Sequence, residues 1–157
     1  MAESIIINAL DKENRYLELI PQVKSLILGE SDQIANLANV ASALKYCFDW
    51  LWVGFYLVKN DMLVLGPFQG PIACTRIPKG RGVCGVCFET KETMIVPDVN
   101  QFPGHIACSS LSQSEIVLLL LNSKNECIGV LDIDSVNLND FDEIDKKYLL
   151  QITALLK

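Results

Sequence analysis

The chain has 157 residues, of which 50% are hydrophobic and 20% charged, and its formal net charge is −6. This size and composition suit one domain of ordinary length with a substantial core. Nucleic acids and anionic membranes need basic patches on their protein partners, so the acidic charge argues against both. The longest apolar run, at residues 116–121, is too short to cross a bilayer.

The first fifty residues have a helical pattern. Apolar side chains recur at helical spacing over residues 16–27, which predicts a helix that is kinked or broken at Pro21. Ser31 or Asp32 can cap a second helix. One face of that helix carries Ile34, Leu37, Val40, Leu44 and Cys47.

Most of the remaining chain is predicted to form β-strands. A short helix at residues 83–90 interrupts them, and a long loop at residues 98–113 has no clear period. The predicted strands lie at residues 49–58, 62–68, 74–78, 93–97, 115–122 and 127–134.

The C-terminal segment predicts a further amphipathic helix. Asp140 and Glu143 resemble a capping box at its start. Helices, then strands, then a helix indicate an α+β fold with a central antiparallel sheet and helices packed on one face. We expect one domain over residues 1–157, with a helical segment at 1–50, the sheet and its loops at 51–136, and the terminal helix at 140–157.

The segment GRGVCGVCFET (residues 80–90) contains both C-x-x-C and G-x-G-x-x-G. A dinucleotide site needs its glycines after the first strand of a βαβ unit, whereas this segment is mid-chain. The glycines therefore predict a tight turn, which opens a helix whose free N–H groups can hold a small anion.

Six cysteines without a secretory signal should be thiols in a reducing cytosol, which favours metal binding or thiol chemistry over structural disulfides. A thioredoxin-like dithiol lacks the expected βα setting, and the lone His105 fits packing or loop hydrogen bonding. Cys47, Cys87 and Cys127 fit small buried hydrophobes. A structural zinc site remains an alternative, with Cys84, Cys87, His105 and Cys108 as ligands.

Two acids in the strand GVLDIDS are more informative. Asp132 and Asp134 alternate with apolar residues, so period two places both carboxylates on one face. Repulsion between them, together with burial, would keep one protonated near neutral pH. The alternative is an exposed strand end with two solvated acids.

Six segments, in order, resemble the free methionine-(R)-sulfoxide reductases, which are stand-alone GAF-domain enzymes. The resemblance spans residues 52–145, and it implies a GAF-like domain with a ligand pocket under loops on the face opposite the helices. The segments are WVGFYL, LVLGPFQG, CTRIPKGRGVCG, IVPDVNQFPGHIAC, SEIVLLL and GVLDIDS.

The resemblance also implies roles for individual residues. Cys108 matches the nucleophile, Cys74 the main resolving thiol and Cys84 a second one, whereas Cys87 falls where the family has a small residue. Ser109 stands where the family has an aspartate after the nucleophile. The substrate pocket matches Trp52, Tyr56, Glu115, Asp132 and Asp134.

These residues fit a thiol-dependent oxidoreductase acting on free L-methionine (R)-S-oxide. A Cys108 thiolate would attack the sulfoxide, with Asp134 as proton donor and Glu115 and Asp132 as anchors for the ammonium group. The resulting sulfenic acid would form a disulfide with Cys74 or Cys84.

The implied partners are the free amino acid and thioredoxin, which serves as external reductant in place of a bound cofactor or metal. A homodimer is also implied by the resemblance, and the thiols predict a cytoplasmic location. A GAF module that senses a small molecule without catalysis is the other alternative; the lack of an attached output domain argues against it.

Overall fold

Six strands and four α-helices make up the part of the chain that the computed structural model describes, residues 4–106 and 109–157. The helices are α1 (Lys12–Ile27), α2 (Gln33–Phe48), α3 (Gly82–Thr90) and α4 (Glu143–Ala154), with a 3₁₀ turn at Val99–Gln101. The strands are β1 (Trp52–Lys59), β2 (Met62–Gln69), β3 (Arg76–Pro78), β4 (Met94–Val96), β5 (Ser114–Leu121) and β6 (Cys127–Ser135).

The strands form one sheet in the order β3-β2-β1-β6-β5-β4, and every neighbouring pair is antiparallel. The predicted α+β fold with an antiparallel sheet is therefore confirmed. Strand β6 lies between β1 and β5, where Asp134 pairs with Trp52 on one side and with Glu115 on the other. This register brings Trp52, Glu115 and Asp134, from three strands, together at one end of the sheet.

Helices α1, α2 and α4 cover one face of the sheet, as predicted. Their apolar faces enclose a core with the inward side chains of β1, β5 and β6, of which Phe55, Ile116 and Leu131 are fully buried. Side chains of alternate parity, such as Trp52 and Tyr56, pack on the opposite face with α3 and β3. The two faces thus have separate cores, and the second one surrounds the pocket described below.

The cap of the C-terminal helix differs from the prediction. Asp142 is the N-cap: its carboxylate accepts from the backbone N–H of Ile144 at 2.8 Å and of Asp145 at 3.3 Å. Asp145 accepts in return from the Asp142 N–H at 2.9 Å, which completes the capping box. Asp140 was the wrong residue, because its carboxylate accepts the Ser135 hydroxyl instead. The helix accordingly spans Glu143–Ala154, not 140–157.

The N-terminal helices follow their predicted pattern with one difference. Asp32, one of the two predicted caps, accepts from the Ala35 N–H at 2.9 Å. Helix α1 is not broken at Pro21 and continues for six further residues, to Ile27. Its apolar face, which includes the fully buried Tyr16 and Leu19, supplies packing that compensates for the missing proline N–H.

Within residues 4–106 and 109–157, every helix falls short of the length and hydropathy that a bilayer crossing requires.

The revised cap predicts a stability difference. We expect Asp142→Ala to lower the free energy of unfolding by about 1 kcal/mol, because two backbone N–H groups of α4 lose their acceptor. Urea unfolding followed by circular dichroism measures the change. Glu143→Ala, which removes a mostly exposed side chain of the same helical turn, is the control and should change stability by less than about 0.5 kcal/mol. Equal losses in the two variants would contradict the assignment.

Candidate active site

A pocket lies on the sheet face opposite α1, α2 and α4. The side chains of β5 and β6 form its floor, and β1, α3 and residues from the loop before β5 form its walls. The five side chains that the sequence assigns to the substrate pocket all line this cavity. They are Trp52, Tyr56, Glu115, Asp132 and Asp134.

Three carboxyl groups meet on the pocket floor. Glu115 and Asp132 are only 5% and 6% exposed, and Asp134 lies beside them as the cross-strand neighbour of Glu115. The Cys84 thiol, from α3, donates to Glu115 Oε1 at 3.9 Å. Asp132 Oδ1 is buried and has no hydrogen-bond partner in the described part of the chain. The interpretation of Asp132 and Asp134 as solvated acids at an exposed strand end is therefore wrong.

Burial shifts the ionisation of all three acids in the same direction. Removal from water raises the pKa of both Glu115 and Asp132 well above the usual carboxyl range, and the charges of neighbouring acids add to the shift. Burial also raises the pKa of Asp134 to about 6, although the hydroxyl of Ser112, which donates to its carboxylate, opposes the shift. The cluster therefore holds protons at pH values where ordinary carboxyl groups are ionised.

No lysine or arginine is present among the described residues that line the pocket. A basic side chain beside the acids is His105, whose Nε2 lies 3.8 Å from Glu115 Oε2. Burial lowers the pKa of His105, so its imidazole is neutral near pH 7 and supplies no permanent positive charge. A cationic ligand would therefore fit the cluster better than an anionic one.

Two aromatic side chains of β1 form a wall of the pocket. The Trp52 ring stacks on Tyr56 with centroids 5.8 Å apart, and it extends across Gly54, where a Cβ atom would lie 2.4 Å from the ring. Both side chains also hold the loop that contains Cys74. Trp52 Nε1 donates to the Pro71 carbonyl at 3.1 Å, and the Tyr56 hydroxyl donates to the Cys74 carbonyl at 3.0 Å.

The glycine-rich segment forms the turn that was predicted. Gly80 and Gly82 have positive φ angles of 74° and 60°, and a Cβ on Gly85 would lie 2.4 Å from the Pro78 carbonyl oxygen. The turn starts α3, and its first residues, from Gly82 to Cys84, line the pocket. The first N–H groups of a helix have no acceptor within it, so this end of α3 offers donors to a bound anion.

The cysteines differ in environment. Cys74 is disulfide-bonded, whereas Cys47, Cys84, Cys87 and Cys127 are free thiols. Burial raises the pKa of Cys47 to about 11, that of Cys87 to about 12, and that of Cys84 well above its usual value. These three thiols are therefore protonated near pH 7. Cys108, the predicted nucleophile, lies outside the described residues.

The zinc set considered from the sequence is not assembled among its described members. Cys84 and His105 line the pocket, but Cys87 packs in the apolar core between α3 and the sheet, where its thiol donates to the Val117 carbonyl at 3.7 Å. In the described ranges, Cys84, Cys87 and His105 do not bring their ligand atoms together. Cys87 is therefore a buried core residue, which confirms the prediction that it is a small buried hydrophobe.

Two polar side chains beside the acids, His105 and Ser112, were not assigned to the substrate site from the sequence. His105 was expected to serve packing or loop hydrogen bonding, or to bind zinc in the alternative, and it lies beside Glu115. Ser112 was not singled out, yet its hydroxyl donates to Asp134. Both residues belong to the predicted loop at residues 98–113, which has no clear hydrophobic period. The signal in the sequence that could have indicated a function for this loop was its length.

Comparison with known proteins agrees with this architecture. A sequence profile of the GAF domain matches residues 31–156. The chain is 48% identical to the free methionine-R-sulfoxide reductase of Escherichia coli, covering 94% of this chain and 90% of that one. It is 39% identical to the Saccharomyces cerevisiae protein of the same name, with 94% and 86% coverage.

A solved structure is also similar. The free methionine-R-sulfoxide reductase of Neisseria meningitidis in complex with its substrate superposes with a TM-score of 0.95 at 53% identity, covering 99% of this chain and 93% of that one. Fold and profile therefore define a GAF-domain protein with a largely buried acidic pocket. Within that class, the chain belongs to the free methionine-R-sulfoxide reductase family.

The acid cluster predicts a pH-dependent cost to stability. When the pKa of a carboxyl group is raised in the folded state, the native protein binds more protons than the unfolded one between the two pKa values, so stability falls as pH rises through that interval. For Asp134 the interval runs from 3.8 to about 6, and for Glu115 and Asp132 it extends higher.

We expect Asp132→Asn to raise the melting temperature, and to raise it more at about pH 8 than at about pH 4, because the amide removes one ionisable group from the cluster. Differential scanning calorimetry at both pH values measures the effect. Asp61→Asn, in the exposed turn between β1 and β2, is the control and should show no such pH dependence. A loss of stability in Asp132→Asn that is larger at the higher pH would contradict the interpretation.

Proposed function

We propose that this protein is an oxidoreductase that reduces free L-methionine (R)-S-oxide to methionine through a cysteine sulfenic acid and a disulfide. The observation that carries the proposal is a carboxyl cluster beside an aromatic wall, with no lysine or arginine among the described pocket residues, in a chain of this family. The relative from Neisseria meningitidis is described with its substrate bound, and its high similarity supports the same substrate here.

The pocket offers a separate partner for each part of the substrate. Glu115 and Asp132 receive the ammonium group, and Asp132 Oδ1, which has no partner in the described ranges, is a free acceptor for it. The N–H groups at the start of α3 receive the carboxylate. Trp52 packs on the S-methyl group and stabilises positive charge that develops on sulfur. A methionine inside a polypeptide lacks both α-charges, so the pocket discriminates against it.

The reaction transfers oxygen from the substrate sulfur to the Cys108 sulfur. The Cys108 thiolate attacks, Asp134 supplies a proton to the sulfoxide oxygen, methionine leaves, and Cys108 carries the sulfenic acid. A pKa of about 6 suits Asp134 to this task, because a general acid works best with a pKa near the working pH. Ser112 donates to the Asp134 carboxylate and so holds it in place.

A second thiol then attacks the sulfenic acid, water leaves, and a disulfide forms. Cys74 is proposed as the main resolving residue, with support from its disulfide-bonded state and from the hydrogen bond that Tyr56 makes to its carbonyl. Cys84 is a free, buried thiol with a raised pKa, which suits a secondary role. Thioredoxin is the proposed external reductant, and a cytoplasmic homodimer without a prosthetic group is the proposed form.

A coupled assay tests the proposed function. We expect turnover of free methionine (R)-S-oxide with thioredoxin, thioredoxin reductase and NADPH, and none with the S isomer, the N-acetyl derivative or a peptide-bound sulfoxide. Cys108→Ser should abolish turnover, because the attacking sulfur is lost, while Cys127→Ser should retain it. Unchanged consumption of the R isomer by Cys108→Ser would rule out the mechanism, and tight binding without turnover by the wild type would favour the sensing alternative.

The roles of the two resolving residues can be separated kinetically. In Cys74→Ser we expect release of about one equivalent of methionine per chain without reductant, because sulfenic acid formation does not need the resolving thiol. Thioredoxin-coupled turnover should fall much further in Cys74→Ser than in Cys84→Ser. Rapid-quench analysis of methionine measures the first turnover, and the coupled assay measures the rest. Wild-type coupled turnover in Cys74→Ser would contradict the assignment.

A further inference from the structure

The side chains of Cys84, Glu115 and Asp132 form a set of candidate metal ligands in the described part of the chain. One ligand atom from each lies within 4.8 Å of the other two, and all three residues are buried. They come from three different elements, α3, β5 and β6, so each is held by packed secondary structure and not by a loop.

A second observation indicates that this set lacks a ligand. Only 6% of Asp132 is exposed, and its buried Oδ1 has no hydrogen-bond partner among the described residues. Asp132 lines the pocket beside Cys84 and Glu115. An oxygen atom buried in this way costs free energy unless a cation or a donor meets it.

The donor set determines which cation fits best. A thiolate favours a soft or borderline ion such as Zn²⁺ over Mg²⁺ or Ca²⁺, which prefer oxygen ligands. In a tetrahedral zinc site, sulfur and oxygen ligands lie roughly 3.5 Å apart, as follows from the usual Zn–S and Zn–O bond lengths. Cys84 Sγ and Glu115 Oε1 are 3.9 Å apart, so a shift of a few tenths of an ångström is enough.

The fourth coordination position is open to water from the pocket, as in open zinc sites. His105 Nε2 lies 3.8 Å from Glu115 Oε2 but does not belong to the set of mutually close ligand atoms. The set therefore provides three protein ligands and a fourth position inside the pocket.

We propose that Cys84, Glu115 and Asp132 bind Zn²⁺, and that the bound ion excludes the ammonium group of the substrate from the same carboxylates. Zinc binding displaces to solvent the thiol proton of Cys84 and the protons that Glu115 and Asp132 hold, and it forms one zinc–sulfur and two zinc–oxygen bonds without any oxidation or reduction. Zinc would thus act as a reversible inhibitor that competes with substrate. The metal site stands on its own geometry, whereas the competition rests on the proposed function.

Direct titration of the oxidised protein tests the site. In the structure Cys74 is disulfide-bonded while Cys84 remains a free thiol, so the oxidised form keeps the three ligands without an accessible Cys74 thiol. Isothermal titration with ZnCl₂ should show one ion per chain, and Co²⁺ should give a visible spectrum with a thiolate charge-transfer band. Absence of binding would overturn the proposal.

Variants distinguish this site from binding elsewhere. We expect Cys84→Ser and Asp132→Asn each to weaken zinc binding by about tenfold to a hundredfold or more, and Cys84→Ser to abolish the charge-transfer band. Cys127→Ser and Asp61→Asn, which change a thiol and a carboxylate outside the pocket, should bind as the wild type does. Unchanged affinity in both Cys84→Ser and Asp132→Asn would overturn the proposed site.

Kinetics test the competition separately. Zinc should raise the KM for free methionine (R)-S-oxide and leave kcat unchanged, and a chelator should restore the original KM. A lowered kcat at unchanged KM would contradict competition. If the protein binds zinc through Cys84 and Asp132 but reduces no sulfoxide, the metal site stands and the proposed function fails. If it reduces the sulfoxide but binds no zinc, the proposed function stands and the metal site fails.

Discussion

The constraint on which the site depends is a cluster of three carboxyl groups, two of them buried, with no lysine or arginine among the described residues that line the pocket. Glu115 and Asp132 lie on adjacent strands, and the neighbouring basic group, His105, is neutral near pH 7. Burial and mutual repulsion make it costly to ionise these carboxyl groups, and a cation that enters the pocket lowers that cost. Recognition of an ammonium group, protonation of an oxygen atom and binding of a metal ion are three consequences of this one electrostatic situation.

The fold can hold this unfavourable cluster because the opposite face of the same strands is well packed. Ile116 and Ile133 are fully buried against the helices, directly adjacent in sequence to Glu115 and Asp132. A slip of one residue in the strand register would expose these apolar side chains and bury the acids in the helical core. The apolar packing therefore fixes where the carboxyl groups lie, and the cost of burying them is met by the rest of the sheet.

The sequence predicted those features that depend on local periodicity. Alternation along GVLDID placed Asp132 and Asp134 on one face, and the resemblance to a known family supplied Glu115 as their companion. It did not predict the neighbours of the acids, because Ser112 and His105 belong to a loop whose path is determined by tertiary contacts. Local spacing was also misleading where two nearby aspartates could each cap the same helix. It predicted the cap of α4 two residues before its actual position.

Direct observation of the carboxyl groups tests the central claim. In a protein labelled with ¹³C in the side chains of aspartate and glutamate, an NMR titration follows each of the three acids with and without bound substrate. The account predicts that Glu115 and Asp132 titrate well above the usual carboxyl range in the free protein, and that substrate lowers at least one of these pKa values. Ordinary pKa values for all three acids, unchanged by substrate, would contradict it.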